Sequence, residues 1–94
     1  MFCTAIISVI LENETCIVFY DKKPVSLGHL LIIPKVHRIN FFQLSPQERK
    51  NMSELLLEAK KVLDFQYSPQ GYNIGLNCGG VAGQTIFHCH LIPR

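Results

Sequence analysis

Two histidines, His88 and His90, stand two positions apart near the end of this 94-residue sequence. The surrounding run 84–92 is β-prone, and alternate side chains of a strand project from the same face, so the two imidazoles are predicted to lie side by side. A neutral imidazole can act as a nucleophile, a general base or a metal ligand near neutral pH. The pair therefore predicts a reactive site, whereas a single buried histidine is more often a packing residue.

A glycine-rich segment, Cys-Gly-Gly-Val-Ala-Gly at 78–83, leads into these histidines. Gly79, Gly80 and Gly83 allow the backbone to approach a ligand closely and to aim N–H groups at an anion. The flanking side chains include neutral hydrogen-bond donors: Asn77, Gln84 and Thr85. A glycine-rich turn alone is weak evidence, but beside the histidine pair it offers the contacts that a phosphate substrate would need.

Apolar, β-branched runs predict five strands, at 6–11, 15–20, 30–33, 72–77 and 84–92. Asn13 suits a left-handed turn between the first two strands, and Pro24 and Gly28 mark a loop before the third. The third run is short and continuously apolar, which indicates a strand buried on both faces. Together with one long helix, this order of elements predicts an α+β domain with a mainly antiparallel sheet.

The sequence Ser45-Pro46-Gln47-Glu48 predicts the start of that helix. Ser45 can accept a hydrogen bond from the amide of Glu48, the Glu48 carboxylate can reach back to the cap, and Pro46 costs nothing at the first helical position. The apolar residues that follow recur at helical spacing: Met52, Leu55, Leu56, Ala59, Val62 and Leu63. Charged residues, Glu48 among them, fall elsewhere around the helix, so an amphipathic helix packed on a flat surface is predicted.

The composition, 48% hydrophobic and 17% charged, indicates a packed globule and excludes disorder. A formal net charge of +2 is too small to indicate a nucleic-acid partner, and no apolar run approaches the roughly 18–20 residues of a membrane span. The length predicts a single domain over 1–94, and without a signal-peptide pattern we expect a soluble, cytoplasmic protein. The cysteines contain no Cys-x-x-Cys pair, so reduced thiols are expected at Cys3, Cys16, Cys78 and Cys89.

Two separated motifs resemble the histidine triad (HIT) family. The segment 77–94, Asn-Cys-Gly-Gly-Val-Ala-Gly-Gln-Thr-Ile-Phe-His-Cys-His-Leu-Ile-Pro-Arg, resembles its signature. The segment 21–35, Asp-Lys-Lys-Pro-Val-Ser-Leu-Gly-His-Leu-Leu-Ile-Ile-Pro-Lys, looks like the loop and strand that bear its nucleotide pocket. The helix that starts after Ser45 is similar to its central helix. The resemblance implies a HIT-like fold, with a mainly antiparallel sheet of about five strands, one long helix and one short helix.

The resemblance further implies a nucleotide phosphoramidase or dinucleoside polyphosphate hydrolase that acts at a nucleoside α-phosphate. In the family, the middle histidine of His-φ-His-φ-His attacks the phosphorus, and water hydrolyses the resulting nucleotidyl-histidine. Counted from the upstream Gly-Gln-Thr segment, which matches without a gap, His88 corresponds to the first histidine and His90 to the nucleophile. The family pairs two protomers so that their sheets run together, so a homodimer is expected. No cofactor or metal is expected, because the nucleophile is an imidazole.

The same match implies which residues bind the nucleotide. Asp21 would hold the ribose hydroxyls of a purine nucleotide such as AMP or GMP, and His29 would line the pocket. The phosphate would be contacted by Asn77, Gly83 (through its backbone), Gln84 and Thr85. Ile7 and Phe19 are candidates for the apolar walls around the base.

The sequence departs from the family pattern at one point. The family carries a third histidine before the Ile-Pro-Arg ending, whereas here His90 is followed directly by Leu-Ile-Pro-Arg. Either Ile92 replaces that histidine or a histidine-plus-hydrophobic pair is missing, and a gap placed earlier would make His88 the nucleophile. The shortened motif leaves open a second function, a nucleotide-binding module with little or no catalysis. A third alternative is a metal site in which His29 or His37 joins the histidine pair.

Overall fold

The computed structural model describes residues 9–21, 28–76 and 87–94 and contains one five-stranded sheet in these parts of the chain. The strands are β1 (Val9–Glu12), β2 (Cys16–Tyr20), β3 (Leu30–Pro34), β4 (Tyr72–Leu76) and β5 (Cys89–Pro93). The helix α1 (Pro46–Tyr67) follows a short 3-10 turn at Phe41–Gln43. Every strand pair is antiparallel, in the spatial order β1-β2-β3-β5-β4. The predicted α+β class and the antiparallel sheet are confirmed.

Where the predicted strands fall on described residues, their boundaries agree with the structure to within one residue except at the start of β5. All of β3 is buried, as its unbroken apolar run predicted. In the described part of the predicted run, β5 begins at Cys89 and does not include Phe87 or His88. The Phe87 amide donates to the carbonyl of Arg38 and not to a neighbouring strand. Other positions of the predicted strands lie outside the described residues: 6–8, 77 and 84–86.

The turn between β1 and β2 uses the side chain of Asn13 instead of the left-handed backbone that was predicted for it. Among the described non-glycine residues, Ser68 has a positive φ and Asn13 does not. The Asn13 amide oxygen accepts hydrogen bonds from the backbone of Thr15 and Cys16 at 3.2 and 3.0 Å, which closes the turn. Its amide nitrogen donates to the carbonyl of Asn51 at 2.8 Å and thereby fastens the hairpin to α1.

The start of α1 forms the predicted capping box. Ser45 Oγ accepts from the Glu48 amide at 3.1 Å, and the Glu48 carboxylate accepts from the Ser45 amide at 2.7 Å. Glu48 was predicted on the polar face but is 5% exposed. Burial opposes its ionisation, yet the hydrogen bonds from the Ser45 backbone and from Arg38 outweigh burial and lower the pKa of Glu48. Both nitrogens of the Arg38 fork meet its carboxylate, at 3.2 and 3.1 Å.

The sheet has apolar side chains on both faces. The larger cluster lies between the sheet and α1, whose inward residues are Met52, Leu55, Ala59 and Leu63. A smaller cluster of Phe19, Leu31 and Ile33 lies on the opposite face, which we call the open face. Cys16 and Cys89 are buried thiols in the larger cluster, whereas Cys3 and Cys78 lie outside the described residues. Within residues 9–21, 28–76 and 87–94, no helix combines the length and apolarity that a membrane crossing needs.

Replacing the cap hydroxyl tests how far the box stabilises the fold. Ser45→Ala removes the acceptor of the Glu48 amide, so we expect the free energy of unfolding to fall by about 1 kcal/mol. Urea denaturation followed by circular dichroism measures this change. Ser53→Ala is the matched control, because Ser53 is exposed within α1, and it should change stability by less than about 0.5 kcal/mol. Equal destabilisation by the two variants would contradict a specific role for the cap.

Candidate active site

The register of β5 places His90 on the open face. His90 lies opposite Leu31 of β3 and Gly75 of β4. Its neighbours Cys89 and Leu91 enter the core beneath α1. Because side chains alternate between the faces of a strand, His90 lies with Leu31 on the opposite side from the helix.

Three imidazoles meet at this point. The His29 Nε2 and His90 Nδ1 atoms are 3.0 Å apart, a hydrogen-bond distance, and the two ring centroids are 5.2 Å apart. The rings of His88 and His90 are 4.5 Å apart and nearly perpendicular, in an edge-to-face contact. The structure therefore brings together the predicted histidine pair and adds His29, the residue directly before β3.

Gly28 sets the path of the backbone into His29. Its φ is +82°, a conformation that residues with a side chain rarely adopt. A Cβ atom at this position would lie 2.9 Å from Tyr67 Cε2 and 3.1 Å from Pro93 Cγ. Both the backbone conformation and the surrounding space therefore require glycine, and the end of α1 and the end of β5 pack directly against the residue that precedes His29.

Asp21 lies on the other side of His29. The Asp21 amide donates to the His29 carbonyl at 2.9 Å, which continues the pairing of β2 and β3 beyond their ends. The Asp21 Oδ2 and His29 Nδ1 atoms are 3.6 Å apart, and these side chains are 25% and 5% exposed. Nδ1 is buried and has no hydrogen-bond partner among the described residues. A buried polar atom without a hydrogen bond costs about 1–3 kcal/mol. The Asp21 carboxylate is the charged group nearby that can influence whether His29 Nδ1 carries a proton.

An open pocket adjoins the two hydrogen-bonded histidines. Its lining includes His29 and His90 together with Asn73, Gly75 and Ile92. Gly75 lies directly across from His90, and a Cβ at that position would have no described neighbour within 4 Å. Asn73, Gly75 and Ile92 were not predicted to line a pocket. A glycine inside a predicted strand was the available signal, since it often marks a close approach of a ligand or backbone.

Several predicted site residues cannot be placed. Ile7 and the phosphate-contacting residues lie outside the described residues: Asn77, Gly83, Gln84 and Thr85.

Phe19 is 4% exposed and packs in the cluster of the open face. His37 is exposed, and no group of three or more His, Cys, Asp or Glu among the described residues is arranged to hold a metal ion. The described part of the chain therefore gives no support to the metal alternative.

The surroundings of His90 favour its neutral form. Burial lowers the pKa of the His90 imidazole below its ordinary value of 6.5, and the neighbouring His88 and His29 lower it further, since a second positive charge nearby is unfavourable. The Asp21 carboxylate acts in the opposite direction. The net effect keeps a lone pair on His90 at a lower pH than an exposed imidazole would allow, which suits a nucleophile or base.

Comparison with known proteins identifies the class to which this fold and imidazole cluster belong. The family model described as the HIT domain matches residues 6–94. An uncharacterized HIT-like protein from Mycoplasma genitalium is 40% identical over 85 residues, which cover 88% of this chain and 60% of that relative. The chain spans about 60% of the length of this relative and of a second one from Mycoplasma pneumoniae.

Solved structures agree with this assignment. A HIT family protein from Bacillus anthracis has a TM-score of 0.89 at 35% identity, over 100% of this chain and 72% of that one. A hypothetical histidine triad nucleotide-binding protein from Sulfolobus tokodaii has a TM-score of 0.82 at 32% identity, over 92% of this chain and 59% of that one. The chain belongs to the HIT family.

The electrostatic coupling of the imidazoles can be tested by titration. His88→Gln removes a neighbouring positive charge while burial persists, so we expect the pKa of His90 to rise but to stay below 6.5. Proton NMR of the imidazole resonances against pH measures the midpoint. His37→Gln is the control, since His37 is exposed and lies outside the cluster, and it should leave the His90 midpoint unchanged. A wild-type midpoint at or above 6.5 would contradict the description of the site.

Proposed function

We propose that this protein hydrolyses nucleoside phosphoramidates or dinucleoside polyphosphates at the α-phosphorus, with His90 as the nucleophile. The observation that carries the proposal is the hydrogen bond between His29 Nε2 and His90 Nδ1 at 3.0 Å, beside a pocket that both residues line. A ring nitrogen held in this way leaves the other nitrogen, Nε2, for attack on a substrate. Family membership supports nucleotide chemistry at such a site.

The reaction proceeds in two displacements. In the first, the lone pair of His90 Nε2 forms an N–P bond while the bond from phosphorus to the leaving group breaks. The leaving group departs with the bonding pair, and an amine takes up a proton from solvent. In the second, a water oxygen attacks the phosphorus and the N–P bond breaks, which returns a neutral imidazole, the nucleoside monophosphate and a proton.

The remaining residues contribute binding. Asn77, the Gly83 backbone, Gln84 and Thr85 hold the phosphoryl oxygens, and Asp21 holds the ribose hydroxyls of AMP or GMP. Oriented donors of this kind are typically worth a few kcal/mol each in the transition state. These contacts rest on the family match of the two motifs.

His90 is favoured over His88 as the nucleophile by two features of the site. His90 lines the pocket together with His29, and its Nδ1 has a fixed partner. His88 contacts His90 edge-to-face, where its charge can modulate the nucleophile. The alternative remains a nucleotide-binding module with little catalysis, and it is motivated by the shortened histidine motif.

We also propose that the protein is a homodimer joined at its β4 edges. β4 pairs with β5 on one side and is an edge of the described sheet. Two of its side chains, Ile74 and Leu76, are 58% and 42% exposed. An exposed apolar edge strand tends to pair with another strand, and a second copy of β4 would extend the sheet across a two-fold axis.

Removal of the nucleophile tests the enzyme proposal. We expect His90→Ala to reduce the hydrolysis of a fluorogenic adenosine 5′-phosphoramidate by at least about 10³-fold, because the covalent step is lost. His37→Ala is the matched control and should retain wild-type turnover, since His37 is exposed and lies outside the cluster. Turnover by His90→Ala equal to wild type would exclude His90 as the nucleophile.

Locating the covalent nucleotidyl group tests whether His90 or His88 is the nucleophile. Measuring AMP binding tests whether the protein is an enzyme or a nucleotide-binding module. Rapid quenching followed by peptide mass spectrometry should find the nucleotidyl group on the imidazole of His90, and a group on His88 would reverse the assignment. Calorimetry with AMP provides the second readout. Tight AMP binding by a wild type that shows no turnover would favour the binding module.

Sedimentation equilibrium at micromolar concentration tests the dimer. The wild type should sediment at twice the chain mass of 10.7 kDa. Ile74→Lys places a charge on the β4 edge, so we expect it to shift the protein toward the monomer. Leu57→Lys is the control, since Leu57 is 61% exposed on α1 and should leave the mass unchanged. A monomeric wild type would contradict the proposal.

A further inference from the structure

Asp21, His29 and His90 form a continuous array on the open face. The Asp21 Oδ2 atom is 3.6 Å from His29 Nδ1, and His29 Nε2 is 3.0 Å from His90 Nδ1. A different strand positions each of these residues. Asp21 directly follows β2, His29 directly precedes β3, and His90 lies within β5. The backbone bond between the Asp21 amide and the His29 carbonyl fixes the first two relative to each other.

The buried Nδ1 of His29 decides how protons are arranged along this array. A neutral imidazole carries one N–H, on either Nδ1 or Nε2. With the proton on Nε2, the lone pair of Nδ1 would face the Asp21 carboxylate in a site where the His29 side chain is 5% exposed. With the proton on Nδ1, an N–H faces the carboxylate instead, which is the favourable arrangement of charge.

The tautomer of His29 then fixes the tautomer of His90. If His29 Nδ1 carries the proton, its Nε2 is an acceptor, so the bond of 3.0 Å requires His90 Nδ1 to be the donor. His90 Nε2 is consequently unprotonated and holds the lone pair. The opposite tautomer of His29 would place the proton of neutral His90 on Nε2, where it would block nucleophilic attack.

We infer that Asp21 is a positioning residue that acts through His29 to hold His90 in the tautomer with a reactive Nε2. This inference rests on the proposed function, in which His90 is the nucleophile and Asp21 also binds the ribose. Asp21 then serves two purposes, since its carboxylate both orients the His29 ring and binds the ribose hydroxyls. Recognition of a ribose-bearing substrate and the reactivity of the nucleophile depend on the same side chain.

The array predicts the effect of Asp21→Asn on the His90 ring. The amide NH₂ of asparagine can donate to His29 Nδ1, which would reverse the tautomer of His29 and then that of His90. Long-range ¹H–¹⁵N correlation spectra of histidine-labelled protein near neutral pH report which ring nitrogen is protonated. We expect a pyridine-type His90 Nε2 in the wild type and in Asp21→Glu, and a pyrrole-type Nε2 in Asp21→Asn.

Matched controls separate this effect from loss of charge or of fold. Glu54→Gln removes an exposed carboxylate on α1 and should leave the His90 resonances as in the wild type. The wild-type spectrum is itself a test that needs no variant. A wild-type His90 with the proton on Nε2, or unchanged His90 resonances in folded Asp21→Asn, would overturn the inference.

Kinetics separate the positioning role from ribose binding. A wrong tautomer in a buried Asp–His pair can cost about 10⁴ in kcat, and since Asp21 is 25% exposed we expect a smaller loss, about 100-fold, in Asp21→Asn. A 2′,3′-dideoxyadenosine phosphoramidate lacks the ribose contacts in both proteins, so the loss of kcat should persist with this substrate. A loss that disappears with the dideoxy substrate would show that Asp21 acts on the ribose alone and would overturn the inference.

The NMR test is independent of whether the protein is an enzyme. If the wild type shows no turnover but the His90 tautomer responds to Asp21→Asn as expected, the proposed hydrolase function fails and the array stands. If the wild type turns over through His90 and its tautomer does not respond, the function stands and the role of Asp21 as a positioning residue is refuted.

Discussion

The pairing of β5 on both of its edges is the constraint on which the site depends. β3 and β4 hold this strand between them, so that His90 has Leu31 on one side and Gly75 on the other. At its end, the Arg94 amide donates to the Gly71 carbonyl at 2.8 Å, and the Gln70 amide donates to the Arg94 carbonyl at 2.9 Å. A slip by one residue would turn the imidazole into the core and Cys89 out of it.

The helix α1 also helps to determine which face of the sheet carries the imidazoles. Its apolar residues cover the face of the sheet that holds Cys89 and Leu91, which leaves the other face for the imidazoles. Arg38 connects the two ends of this arrangement, because its side chain meets the buried Glu48 at the start of α1 while its carbonyl accepts from Phe87 just before β5. Phe87, which directly precedes His88, is therefore connected through Arg38 to the first turn of the helix.

Sequence patterns predicted whatever depends on neighbours along the chain. The period of two placed His88 and His90 together, and the Ser45 capping box fixed the start of α1, since both are local properties. The contact between His29 and His90 links residues 61 positions apart. The pattern of either strand does not show that β3 pairs with β5, so this contact could not be predicted from the strands. The family resemblance implied only that His29 lines the pocket. The burial of Glu48 was missed because its partner Arg38 is ten residues away and outside the helix.

The central position of β5 also bears on how the molecule fluctuates. Reactive side chains commonly lie on loops, whose backbone opens easily. Here His90 belongs to a strand with a bonded neighbour on each side, so exchange of strand amides with solvent deuterium would require much of the sheet to open. The imidazole that we propose as the nucleophile then lies in one of the last regions of the described fold to open, and conditions that loosen the sheet should disable the site and the fold together.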